Sequence, residues 1–183
     1  MKLLKTLSLA LAFILATASS LLAQTASSDI PPGWKTYLDA VHGFSFAYPP
    51  LYKQIRRPGT DDEDANKAAA EGRWIGLRHQ RSDARIEFSL ANEPFDLNNL
   101  GVPPTGQEGP PPAVQEGANT FYYYGAGGGG VEYPDRFFFN LRGKTLSIVF
   151  DGPYQGKSPD EATEKIESQM LASFRVFLPQ RNQ

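Results

Sequence analysis

The sequence predicts an α+β fold, with a central antiparallel sheet of about six to seven strands and a C-terminal helix and a shorter helix packed on it. Three observations carry this. Large apolar side chains recur at every second residue in Arg136-Phe137-Phe138-Phe139-Asn140-Leu141 and in Thr145-Leu146-Ser147-Ile148-Val149-Phe150, and Gly143-Lys144 between them suits a two-residue turn. The same alternation returns in Phe44 to Tyr48 and in Ala84 to Ala91. Strong helix-start chemistry occurs at two places, Thr60 and Ser158.

Taken in order, the chain opens with Lys2 and Lys5 ahead of an apolar run from Leu7 to Leu15, followed by small residues. That is the pattern of a secretory signal, so the protein is expected to be exported, to a periplasmic or extracellular location. Ala16-Thr17-Ala18 and Ala23 both suit the peptidase, and Ala23 is the preferred cut: residues 1–23 are the signal peptide, 24–33 a flexible leader, and 34–179 a single α+β domain. Thr17, Ser19 and Ser20 interrupt the apolar run before it reaches the roughly 20 residues of a membrane span, so no stable span is expected after cleavage. The cut removes 23 residues, two of them lysines, and leaves 160 residues with 16 basic and 20 acidic side chains, a formal charge of −4. That balance offers nothing to nucleic acid or to an anionic membrane. The chain has no cysteine, which excludes disulfide and thiol chemistry and leaves burial of apolar groups to hold the fold.

Trp34 to Val41 reads as extended, His42-Gly43 as a turn, and Phe44 to Tyr48 as a strand that Pro49-Pro50 stops, which makes a first hairpin. Thr60-Asp61-Asp62-Glu63 has capping-box spacing and opens a short, weakly buried helix that ends by Gly72. Trp74 to His79 and Ala84 to Ala91 are the next strands, the second with Ile86, Phe88 and Leu90 on one face and Arg85, Glu87 and Ser89 on the other. Between Glu93 and Asn119 lie six Pro and four Gly, so 93–119 reads as a Pro/Gly-rich loop or lid. Thr120 to Tyr124 resumes a strand and Gly125 to Gly130 turns.

In the central hairpin a type II′ turn on Gly143-Lys144 sets Leu141 opposite Leu146, Phe139 opposite Ile148 and Phe137 opposite Phe150, all on one face. Phe138 and Val149 then point the other way, and Tyr123 joins them if the Gly125 to Gly130 loop sets Tyr124 opposite Val131, which leaves Tyr122 with the first face. Only one well-capped amphipathic helix is available to cover two faces, so Tyr123, Phe138 and Val149 form a candidate interaction surface with the 93–119 segment across or beside it. That helix starts at Ser158-Pro159-Asp160-Glu161 and runs to about Ala172, with Ala162, Ile166 and Met170 on one face and Leu171 and Phe174 beside them. Phe174 to Leu178 closes the fold as an edge strand.

Motifs that carry chemistry fare poorly. Gly156-Lys157-Ser158 follows a strand and opens a helix, but Asp151 stands where a P-loop needs its first Gly and Pro153 removes a backbone donor. Asp62-Glu63-Asp64-Ala65-Asn66 begins like a calcium loop, yet Lys67 replaces the required Gly and Arg73 the closing Glu. His42 and His79 have no second His or Cys at ligand spacing, and no G-x-S-x-G elbow is present, so the sequence names no catalytic residue, no metal site and no cofactor. The Gly125 to Gly130 run lacks a strand-to-helix context, and Tyr122-Tyr123-Tyr124 reads as a strand with both faces partly covered.

Two patches resemble a known superfamily: Tyr37 with Gly43-Phe44-Ser45-Phe46-Ala47-Tyr48-Pro49, and Met170-Leu171-Ala172-Ser173-Phe174-Arg175-Val176 are similar to the PsbP and Mog1-like proteins. The resemblance implies a central antiparallel sheet with helices packed on it, and members that act mostly as non-catalytic assembly or binding proteins. The reading is therefore an exported, non-catalytic binding or assembly domain whose partner is a protein or a small ligand not named by the sequence. Two alternatives stand beside it: a cell-envelope hydrolase whose acids, such as Glu132, Asp135 and Asp151, meet only in three dimensions, and a structural envelope component.

Overall fold

The computed structural model describes residues 30–56, 63–100, 110–125, 134–152 and 161–179. The chain divides into residues 1–32 and a compact unit over 33–183, and every regular element among the described residues belongs to the second. The signal segment, the caps at Thr60 and Ser158, Glu132, the Gly156-Lys157-Ser158 loop and most of the glycine run lie outside the described residues.

The fold is α+β. Its strands are β1 (Lys35–Asp39), β2 (Phe44–Tyr48), β3 (Tyr52–Ile55), β4 (Trp74–His79), β5 (Arg85–Pro94), β6 (Ala113–Glu116), β7 (Asn119–Tyr124), β8 (Asp135–Leu141), β9 (Lys144–Asp151) and β10 (Arg175–Val176). Two helices, α1 (Glu63–Ala70) and α2 (Glu161–Ala172), complete it. The central antiparallel sheet has the expected size, and a second, smaller sheet stands beside it. Seven strands in the order β3-β4-β5-β9-β8-β7-β6 form the large antiparallel sheet, and β1-β2-β10 form a small one. The first hairpin thus leaves the central sheet, because β2 spends its second edge on β10, with Ser45 opposite Arg175 and Phe44 opposite Val176.

The core lies between one face of the large sheet and the layer made by the small sheet and α2. Ile86, Phe88, Leu90, Leu77, Ile148 and Phe150 meet Phe44, Phe46, Met170, Leu171 and Phe174 there. Phe46 stacks on Phe88 with ring centroids 4.1 Å apart, and Phe174 contacts Phe44, Phe121 and Phe139 at 5.5, 6.0 and 5.0 Å. The three Phe174 contacts fall at the separations aromatic pairs prefer, where each contributes about 0.5 to 1.5 kcal/mol beyond burial. The side chains that β5 alternates inward are these core residues, as its pattern predicts.

The central hairpin turns one residue earlier than its glycine suggests. Arg142 and Gly143 both have positive φ, 55° and 82°, which is the type I′ turn, and the pairs are Leu141 with Lys144, Phe139 with Leu146 and Phe137 with Ile148. Arg142 accepts a left-handed backbone because its guanidinium donates to the carbonyls of His42 and Gly43, at 3.0 and 3.3 Å, while Gly143 N donates to Asn140 Oδ1 at 2.7 Å. The slip is two residues in pairing. Since side chains alternate with period two, Phe137, Phe139 and Leu141 keep the face predicted for them.

β7 does not. Tyr122 lies opposite Phe138 and Tyr123 opposite Phe137, so Tyr123 belongs to the first face and Tyr122 and Tyr124 to the second. Tyr123 stacks on Phe137 at 4.8 Å and donates to Asp135 at 2.6 Å. The second face is covered around Phe138, which is only 4% exposed, clustered with Leu100 and Tyr124 and flanked by Phe95, Leu97 and Tyr122. The 93–119 stretch is accordingly no plain loop. It holds the end of β5, a 3₁₀ turn at Leu97–Asn99 capped by Asp96, and the edge strand β6.

Candidate functional site

β3 and β4 place Tyr52 and His79 side by side as register partners, with their rings edge to face and centroids 5.1 Å apart. The β4–β5 connection then returns sharply, His79 N donating to Ala84 O at 2.9 Å and Gln80 N to Leu51 O at 3.0 Å. This return brings Ser82 back onto His79. Ser82 Oγ lies 2.7 Å from Nδ1 of His79, and Arg81 N, a donor only, points at the same nitrogen from 3.4 Å. Nδ1 therefore accepts, and the imidazole carries its proton on Nε2.

These side chains open on a recess of about 240 Å³ between the large sheet and α2. Its floor is Ala84, Ile86 and Phe150, its walls are Pro49, Leu51 and Ile166, and Tyr52, His79, Ser82 and Glu167 supply polar groups. Arg85 and Asp151, neighbours across the β5–β9 pair, stand at the margin. Glu167 projects from α2 and is buried. Burial, and after it the Glu167 carboxylate, raise the pKa of Tyr52, so the phenol stays protonated through the neutral range. The Ser82–His79 contact spans three residues within one turn, and no third group orients the imidazole through Nε2 among the described residues; it is a positioned hydrogen bond, without the geometry of an activated nucleophile.

Of the acids in the hydrolase reading, the two described, Asp135 and Asp151, are not brought together. Asp135 is register partner to Phe150 and lies on the core face, bonded to Tyr123, while Asp151 follows Phe150 and alternates to the other face. No group of three potential metal ligands occurs among the described residues. Glu63 to Asn66, from the segment that begins like a calcium loop, form the first turn of α1, where acids complement the helix dipole.

A second cluster surrounds His42. Asp39 accepts from His42 N at 2.8 Å and sits 2.9 Å from its Nδ1, which closes the β1–β2 turn, and the Arg142 guanidinium seals that turn from outside. Tyr37 packs beside it on Phe44 and Phe46, its pKa raised by burial and then by Asp39. The cluster joins the small sheet to the β8–β9 turn, a structural task. Of the residues proposed for an interaction surface, Phe138 is buried, Tyr123 faces the core, and Val149 is half-exposed on the second face between Glu87 and Arg136. Tyr52, Ser82 and Glu167 carry no motif in the sequence; only the strand pairing and the docking of α2 assemble them with His79.

No protein-family model matches the chain, and no curated protein matches it. Among solved structures, cyanobacterial PsbP (CyanoP) from Synechocystis sp. PCC 6803, determined in solution, is similar at a TM-score of 0.51 and 15% identity, over 84% of this chain and 98% of that one. The two patches that resemble PsbP in sequence are joined in space: β2 pairs β10, Phe44 stacks on Phe174, and Ala47 N donates to Ser173 Oγ at 2.8 Å. The PsbP-like resemblance read from Tyr37, Gly43 to Pro49 and Met170 to Val176 is thus a likeness of the whole fold.

Proposed function

We propose that the protein is an exported, non-catalytic binding domain whose ligand occupies the recess between the large sheet and α2. The observation that carries the reading is the composition of that recess, an apolar floor with a few placed polar groups, which is the make-up of a binding site. The assembly or binding roles implied by the PsbP resemblance point the same way, and the separation of Asp135 from Asp151 takes support from the hydrolase alternative. Export rests on the pattern of residues 1–23.

Native mass spectrometry of the protein isolated from its own organism tests both parts. A mature mass corresponding to a chain that begins at Gln24, carrying an added mass that Ala84→Trp abolishes, is the expected result. A chain that keeps residues 1–23 overturns the export, and an identical spectrum for the filled-recess variant overturns the site.

A further inference from the structure

The polar groups of the recess are unequal. Ser82 and the Arg81 amide engage Nδ1 of His79, which leaves Nε2–H as a donor, and neither it nor the Tyr52 hydroxyl has a hydrogen-bond partner among the described residues. Tyr52 and His79 both line the recess, with their rings 5.1 Å apart between centroids. The one buried carboxylate there, Glu167, is already engaged, so it offers little to a cationic ligand. Its charge does oppose an anion. That charge is felt at Tyr52, whose pKa it raises, second to burial. Two donors over an apolar floor, beside a carboxylate, ask for an uncharged acceptor.

Size narrows the class. A dry cavity of roughly 150 Å³ holds benzene, so about 240 Å³ accommodates a single ring with a short substituent. We propose that the recess takes a compact, neutral, apolar molecule bearing one carbonyl-type oxygen, which accepts from the Tyr52 hydroxyl and from His79 Nε2–H while its apolar body rests on Ile86 and Phe150. This rests on the recess being the binding site, and deepens it by naming the ligand chemistry. The donors' cost of desolvation is met only by such an oxygen, which is why a hydrocarbon of the same shape is the weaker ligand.

Four probes of one shape test it: acetophenone, ethylbenzene, benzoate and benzylamine, titrated at pH 7 into the protein while amide and imidazole nitrogen signals are followed by NMR. Acetophenone is expected to shift the Ser82, Ile86 and Phe150 amides and the His79 Nε2 signal, and to bind at least about fivefold more tightly than each of the other three. Tyr52→Phe should weaken acetophenone, narrowing its preference over ethylbenzene to what His79 alone supplies, while leaving ethylbenzene unchanged, which also shows that the variant is folded. Equal binding of acetophenone and ethylbenzene, or tighter binding of benzoate or benzylamine, overturns the proposed chemistry and leaves the recess as a site. Shifts confined to other parts of the protein, or none with any probe, overturn the recess itself.

Discussion

At Gly43 a single missing Cβ lets three segments meet. Its φ is +71°, and a Cβ there would fall inside contact distance of the Phe177 carbonyl oxygen and 2.6 Å from Arg142 Nη2. Gly43→Ala should therefore cost about 2 to 5 kcal/mol, from backbone strain together with forced separation of the two sheets; a urea titration showing a loss below about 1 kcal/mol would mean the clasp yields. At the hairpin tip Gly143 has open space around it but φ of +82°, so the penalty is conformational alone. Gly143→Val is expected to destabilise by about 1 to 2 kcal/mol and the exposed Lys144→Ala by less than about 0.5 kcal/mol, measured side by side in thermal melts. Tyr52 adds a pH dependence. Its folded pKa is raised, by burial first and Glu167 second, so the unfolded chain releases this proton sooner. Its contribution is complete below the ordinary tyrosine value near 10 and declines as pH climbs from there toward the folded value, and Tyr52→Phe should flatten the decline seen in melts between about pH 9 and 11.

Two elements hold the layers in place, and each offers a test. α2 ends on Ser173, whose hydroxyl donates to Met170 O at 2.6 Å and accepts from Ala47 N at 2.8 Å, in a buried setting. Ser173→Ala strands that amide of β2 and should cost about 1 to 3 kcal/mol, with amide exchange at Ala47 speeding up more than at its neighbours. On the opposite side the short segment from Phe95 to Leu100 lies against Phe138 and Tyr124. Leu100→Ala should lower stability by about 2 kcal/mol and raise binding of a hydrophobic dye, because the aromatic cluster under it becomes accessible. Unchanged dye binding would show that another part of the chain covers Phe138.

For the whole molecule the deciding feature is that both ends of the compact unit build one small sheet. β1 and β2 come from its start, β10 from its end, and Phe174 carries the contact into the core between Phe44, Phe121 and Phe139. A chain ending at Ala172 loses Ser173, Phe174 and β10 together, and is expected to melt without a cooperative transition, with the near-ultraviolet aromatic signal of the intact protein gone. A sharp transition in that truncated protein would show that the large sheet and α2 are stable without their cover. The recess depends on the same closure, since Ile166 and Glu167 reach it only when α2 is docked.

Much of this was legible in the residues themselves. β2, β4, β8, β9 and α2 lie where alternation, turn residues and helical spacing put them, because these signals act between residues within a few positions of one another. The face carrying Phe137, Phe139 and Leu141 survived a misplaced turn because a two-residue slip preserves the pleat's parity. What local pattern does not specify is partnership across distance. Tyr123 faces the core because β7 pairs with β8 with Tyr122 opposite Phe138, a register set across a long connection. Likewise β2 left the central sheet because a strand at the far end of the chain completes its edge. The recess is the extreme case: Tyr52, His79, Ser82 and Glu167 are ordinary residues in their own segments, and only long-range pairing and helix docking, driven by burial of the aromatic core, turn them into one site.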